Sequence, residues 1–86
     1  MLKIMKFSAE WCGPCKRLSP IFEKIKLDTQ DVEFEEIDVD GNPITASKFK
    51  IMSIPTMVFV KDDIEVGRLV GLVKEDDIRK LIEDLK

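Results

Sequence analysis

The sequence predicts an α/β domain: a four-stranded mixed sheet flanked by three helices, in the order βαβαββα. Three observations carry this reading. An apolar run at residues 2–8 leads into helical spacing over 13–27 and a second strand-like run at 33–39, which makes a βαβ unit. The pair Asp62–Asp63 separates two further strand-like runs, as a hairpin turn does. Helical spacing returns from Glu75 to the end. With 86 residues the chain has room for one domain, residues 1–86, and not for two.

The elements follow in order. Ile4, Met5 and Phe7 point to both faces of the first strand, so that strand is expected to be buried on both sides. Leu18, Ile21, Phe22 and Ile25 fall at i, i+3, i+4 and i+7 of the first helix. Pro20 predicts a kink there, because it lacks an N–H and crowds the carbonyl of Lys16. Leu27–Asp31 reads as a loop. In the second strand Phe34 lies on one face, Ile37 and Val39 on the other. Asp40–Gly41–Asn42–Pro43 is a turn, followed by a short helix over 43–50. Residues 56–61 form the most apolar strand and 65–70 the fourth. In the last helix Ile78, Leu81, Ile82 and Leu85 repeat the spacing, and Glu75–Asp76–Asp77 suit the positive end of its dipole. The first two strands are expected to be parallel, with a right-handed crossover, and the last two antiparallel.

Composition narrows the function classes. The net charge is −3 and no basic block stands out, so nucleic acid is not an expected partner. No apolar run approaches the ~20 residues that span a bilayer. Lys3 and Lys6 interrupt the N-terminal run, so neither a membrane span nor a secretory leader is expected, which points to the cytoplasm. The chain has no histidine and no tyrosine. That excludes Cys–His proteolysis, Ser–His–Asp hydrolysis and histidine-ligated metal. The two cysteines, Cys12 and Cys15, would close only a tiny loop if bridged, a weak staple. Structural disulfides are also rare in the cytosol. Their expected use is chemical.

Trp11–Cys12–Gly13–Pro14–Cys15 sits where a strand ends and a helix begins. Unpaired N–H groups and partial positive charge at a helix N-terminus favour a thiolate on Cys12, the form that attacks a disulfide. Cys15, one turn on, is placed to resolve the mixed disulfide. Pro14 suits a first turn, where no N–H is needed. Gly13 keeps the rim free of side chains. The competing reading is half of a zinc site, but such sites take four ligands and this chain offers two cysteines and no histidine.

Ala9–Glu10–Trp11–Cys12–Gly13–Pro14–Cys15–Lys16 closely resembles the active-site segment of thioredoxins. Ile54–Pro55–Thr56, Val70–Gly71 and Asp40–Gly41–Asn42–Pro43 match further family motifs, so the resemblance covers essentially the whole chain. It implies a minimal thioredoxin fold lacking the usual N-terminal strand and helix, with the length of short thioredoxins and glutaredoxins. It also implies that Pro55 is a cis proline facing the cysteines. The backbone of Ile54 would pair with an incoming substrate strand, and Trp11, Pro55 and Gly71 would line an apolar contact patch. Ordinary packing and a strand-end bend are the plainer readings of Ile54 and Gly71. The Gly–Pro dipeptide resembles that of reductants rather than of glutaredoxins or disulfide oxidants.

One position departs from the family. Thioredoxins place a buried aspartate six residues before the first cysteine, where this chain has Lys6, and the family's partner lysine aligns with Glu36. The pair is charge-swapped. A buried lysine is costly unless paired. Lys6 and Glu36 on adjacent parallel strands could satisfy each other, Glu36 then accepting the proton of Cys15. Alternatively Lys6 snorkels to the sheet edge and Glu36 is solvated.

The leading expectation is therefore a monomeric dithiol reductant of protein disulfides, with no cofactor beyond the Cys12–Cys15 couple. Its electron donor would be a thioredoxin reductase (flavin-dependent or ferredoxin-linked) or glutathione. A glutaredoxin-like enzyme and a non-catalytic binding module are the other readings.

Overall fold

A computed structural model describes residues 1–86. The strands are β1 (Leu2–Ser8), β2 (Val32–Asp38), β3 (Thr56–Lys61) and β4 (Ile64–Val70). The helices are α1 (Gly13–Asp28), α2 (Pro43–Lys48) and α3 (Glu75–Leu85). They form one four-stranded sheet in the order β2-β1-β3-β4. β1 pairs with β2 in parallel and with β3 antiparallel, and β3 pairs with β4 antiparallel. The expected mixed sheet and element order are both present.

Alternation along the strands divides the core into two layers. On one face Leu2, Ile4, Met57 and Phe59 meet Leu18, Phe22 and Ile25 of α1 and Ile78 and Ile82 of α3. Phe22 meets Phe34 of β2 edge-on, with ring centroids 5.4 Å apart. On the other face Met5, Phe7, Ile37 and Val58 pack under Ala46, Phe49 and Ile51. β1 is accordingly buried on both sides, as a central strand should be.

The structure corrects several boundaries. α1 runs to Asp28, so Leu27 and Asp28 belong to the helix rather than to a loop. Arg79 of α3 bonds the Asp28 carboxylate at 2.8 Å and holds that last turn. Pro20 lies inside α1 without ending it, its ring on the exposed side. Val39 falls just beyond β2, although its N–H still bonds the Ser8 carbonyl at 2.9 Å. α2 stops at Lys48, two residues early. Lys50 adopts a left-handed φ of 54°, and the Ile51 N–H bonds back to the Ala46 carbonyl at 3.0 Å. This return bond closes the helix. β4 begins one residue early, at Ile64. Asp62 and Asp63 both take positive φ, 53° and 66°, the geometry that matches a two-residue turn to strand twist.

No helix is long and apolar enough to cross a membrane.

Candidate active site

The chain leaves β1 at Ser8, turns through Glu10 and Trp11, and enters α1 at Gly13. Cys12 is the N-cap residue of α1. A cap needs an acceptor for an orphan N–H, and the Cys12 sulfur supplies it, taking the Cys15 N–H at 3.2 Å. The sequence thus places a sulfur where backbone dipoles favour negative charge once the disulfide is open. Pro14 occupies the first turn, where no donor is lost. A Cβ at Gly13 would meet nothing within 4 Å, so the rim beside the sulfurs is open.

The Cys12 and Cys15 sulfurs are bonded to each other, with their Cα atoms 5.3 Å apart. Both side chains are buried in a small cluster with Ala9, against which Val39 and Ile54 pack. Cys12 faces the Ile54 side, its sulfur 3.9 Å from the Ile54 carbonyl oxygen. Cys15 lies on the other side, where an open cleft of about 500 Å³ is lined by Ser8, Glu10, Lys16, Ser19 and Asp38.

The Ile54–Pro55 peptide is cis, as the resemblance implied. Pro55 is almost completely enclosed, so it does not itself line the exposed patch. Ile54 lies outside the sheet ladder, which begins at Thr56. Gly71 stands at the end of β4 with φ +89°, and its N–H bonds the Pro55 carbonyl at 2.7 Å. The glycine therefore fixes the proline from behind, in a conformation an L side chain resists.

The exposed apolar surface runs from Trp11 to Met52. An apolar groove of about 420 Å³ is lined by Trp11, Val39, Ala46, Ile51, Met52, Ser53 and Ile54. Trp11 is 69% exposed and Met52 93%. The indole N–H donates to the Asp40 carboxylate at 2.8 Å, which sets the angle of the ring over the groove. Sequence reasoning missed Met52, Ile51 and the role of Asp40. In the sequence Asp40 reads as part of a turn, and only the fold brings that turn beside Trp11.

Lys6 and Glu36 do pair. They are register partners on β1 and β2, and Lys6 Nζ lies 2.9 Å from Glu36 Oε1. Lys6 is 1% exposed and does not reach the sheet edge, whereas the Glu36 side chain is 51% exposed. The ammonium also donates to Ser19 Oγ at 3.0 Å and lies 4.9 Å from the centre of the Phe22 ring. Within the protein, Glu36 is linked toward the cysteines through Lys6 and Ser19, whose hydroxyl donates to the Cys15 carbonyl at 3.1 Å. Ser19 is a further residue that sequence reading passed over, since one serine in a helix carries no signal of its own.

A reversible disulfide at a helix N-terminus, an open rim and an apolar groove beside the outer sulfur define a thiol–disulfide oxidoreductase. The thioredoxin family model matches residues 1–84. Thioredoxin of Chlamydia trachomatis is 42% identical over 81 residues, 94% of this chain and 79% of that relative. Thioredoxin of Staphylococcus haemolyticus is 37% identical over 83 residues, 95% and 80% of the two chains. The crystal structure of thioredoxin from Fasciola hepatica superposes with a TM-score of 0.93 at 39% identity, over 99% of this chain and 81% of that one. The chain belongs to the thioredoxin family, and its activity is that of a protein-disulfide reductase.

Proposed function

We propose that this protein is a cytoplasmic, monomeric electron carrier that reduces disulfides of partner proteins and is itself recharged by a reductase. The observation that carries the reading is the Cys12–Cys15 disulfide, with Cys12 turned toward the Ile54 edge and the apolar groove. Cys12, as thiolate, attacks a substrate sulfur. A Cys12–substrate disulfide forms, and the first substrate thiolate leaves. Cys15 then attacks Cys12, closing the intramolecular bond and expelling the second substrate thiolate. The two electrons come from the dithiol, so no other cofactor enters.

Trp11 and Ile54 supply the docking surface, with Pro55 and Gly71 holding the Ile54 backbone in position for an extended substrate strand. Gly13 and Pro14 leave the approach to the sulfurs clear. Lys6 and Glu36 act in the second half of the reaction. The Glu36 carboxylate, paired with Lys6 and half in water, accepts the Cys15 proton and returns it to solvent. The identity of thioredoxins as carriers supports a flavin-dependent or ferredoxin-linked reductase, or glutathione, as donor.

The deciding experiment is reduction of insulin disulfides by the reduced protein, with Cys12→Ser and Cys15→Ser variants. Parent protein should be active and Cys12→Ser inert. Cys15→Ser should accumulate a stable mixed disulfide. A reduction potential of about −270 mV, the value of thioredoxin itself, would accompany it. Glu36→Gln should slow turnover several-fold with the fold intact. A protein in which both cysteine variants keep full effect on a partner would be a binding module instead.

A further inference from the structure

We propose that Ser19 is a positioning residue for the resolving step, coupling the buried Lys6 ammonium to Cys15. The inference rests on the dithiol reading above and assigns a residue that reading does not require.

The geometry is a two-bond chain. Lys6 Nζ donates to Ser19 Oγ at 3.0 Å, and Ser19 Oγ donates to the Cys15 carbonyl at 3.1 Å. A mid-helix serine that bonds the carbonyl four residues back competes with the helix and gains nothing in propensity. Here that hydroxyl has a second partner, a full positive charge that is 1% exposed. A serine between an ammonium and a carbonyl is polarised by both.

The charge arithmetic of the step gives this arrangement a purpose. Before resolution Lys6 is positive and buried, Glu36 negative and half in water, and Cys15 neutral and buried. Glu36 does not line the cleft but is half in water, so the Cys15 proton passes to it through solvent, and one negative charge thereby moves from carboxylate to sulfur. Lys6 stays fixed, its ammonium held by Ser19, whose hydroxyl donates to the Cys15 carbonyl and so ties the charge to the turn that carries the Cys15 sulfur. The Cys15 thiolate then attacks Cys12 Sγ, the Cys12–Cys15 bond forms, the Cys12–substrate bond breaks, and the electron pair leaves on the substrate sulfur. The other charged groups on that cleft are Glu10 from the preceding loop, Lys16 from α1 and Asp38 from β2. Asp38 already accepts the Asp40 N–H at 3.2 Å.

The test isolates resolution from the first attack. The Cys12 thiolate of the reduced protein attacks dithiobis(nitrobenzoate), one thionitrobenzoate leaves and the other stays on Cys12 as a mixed disulfide, and release of that second chromophore by Cys15 is followed against pH by stopped flow. Ser19→Ala should slow release about fivefold at neutral pH, the ratio one hydrogen bond supplies. It should also move the midpoint of the pH–rate profile upward. Ser19→Thr, which keeps the hydroxyl, should restore both to within about twofold of the parent. Alanine favours the helix and Lys6 keeps Glu36 and the Phe22 ring, so the variant should fold, which its thermal unfolding checks. A Ser19→Ala profile that superimposes on the parent overturns the proposal. So does a slowing with no change of midpoint that Ser19→Thr fails to rescue. A parent protein that never expels thionitrobenzoate overturns the dithiol reading itself, and this inference with it.

Discussion

Removing Glu36 strands a cation. Lys6 Nζ has three partners: Glu36 Oε1 at 2.9 Å, Ser19 Oγ at 3.0 Å and the Phe22 ring face at 4.9 Å. Glu36→Ala leaves it one neutral acceptor and a ring. Deleting one member of a fully buried ion pair costs about 3–5 kcal/mol. Glu36 is half in water, so a solvent molecule can take part of its place. We expect about 2 kcal/mol. In a domain of this size each kcal/mol moves Tm by about 4–8 °C, so the midpoint should fall by about 8–16 °C. Lys6→Met behaves differently. It removes the charge, keeps apolar volume against Phe22, and leaves Glu36 free to hydrate. Its stability should lie within about 1 kcal/mol of the parent, and the double variant should resemble it. Thermal and urea unfolding of the oxidised proteins at neutral pH measure all three. Lys6→Met falling as far as Glu36→Ala would refute the reasoning, because the pair would then be stabilising in itself.

Two further outcomes are expected. Gly71→Ala meets no steric contact within 4 Å but must hold φ +89°, so it should cost about 1 kcal/mol and loosen the bond to the Pro55 carbonyl. Its kcat/KM for insulin should drop several-fold while that for a small aromatic disulfide stays unchanged. The Arg68 and Arg79 guanidiniums, through hydrogen bonds, hold the Glu65 and Glu75 carboxyls below their ordinary values. Such groups stabilise the fold fully above the ordinary carboxylate value, and the contribution is lost as pH falls through the depressed native value. Urea midpoints should therefore decline on acidification below about pH 4.5, and Arg79→Met should flatten that decline.

The parts of the fold that were legible in the sequence are those where periodicity acts alone. Ile78, Leu81, Ile82 and Leu85 announced α3, and Phe34 against Ile37 announced the two faces of β2. Element ends were less legible because tertiary partners set them. Arg79 extends α1 to Asp28, and the return bond from Ile51 fixes the end of α2. Cys12 and Cys15 were legible because local order, a strand running into a helix, already dictates their chemistry. Met52, Asp40 and Ser19 were not. Asp40 and Ser19 gain their roles from contacts across the fold, with Trp11 and Lys6, and Met52 from the groove it lines with Trp11. The pairing of Lys6 with Glu36 fell between: register made it possible, and only the structure decided it against a lysine running out to the edge.

Arg68 sits far from the cysteines, on the edge strand β4, yet its guanidinium does two things at once. It bonds both Glu65 oxygens at 2.8 Å and donates to the Phe49 carbonyl at 2.7 Å, just past α2. Phe49 begins the segment that leads through Ile51 and Met52 to Ile54. One side chain thus anchors the free margin of the sheet to the root of the segment that forms the groove. Its stiffness is inherited by the groove. Substitutions at Arg68 or Glu65 would widen the range of shapes the groove can take without altering a single lining residue. Preference among protein substrates could thereby drift while the rate toward small disulfides stays constant, which gives evolution a way to retune recognition from the opposite rim of the molecule.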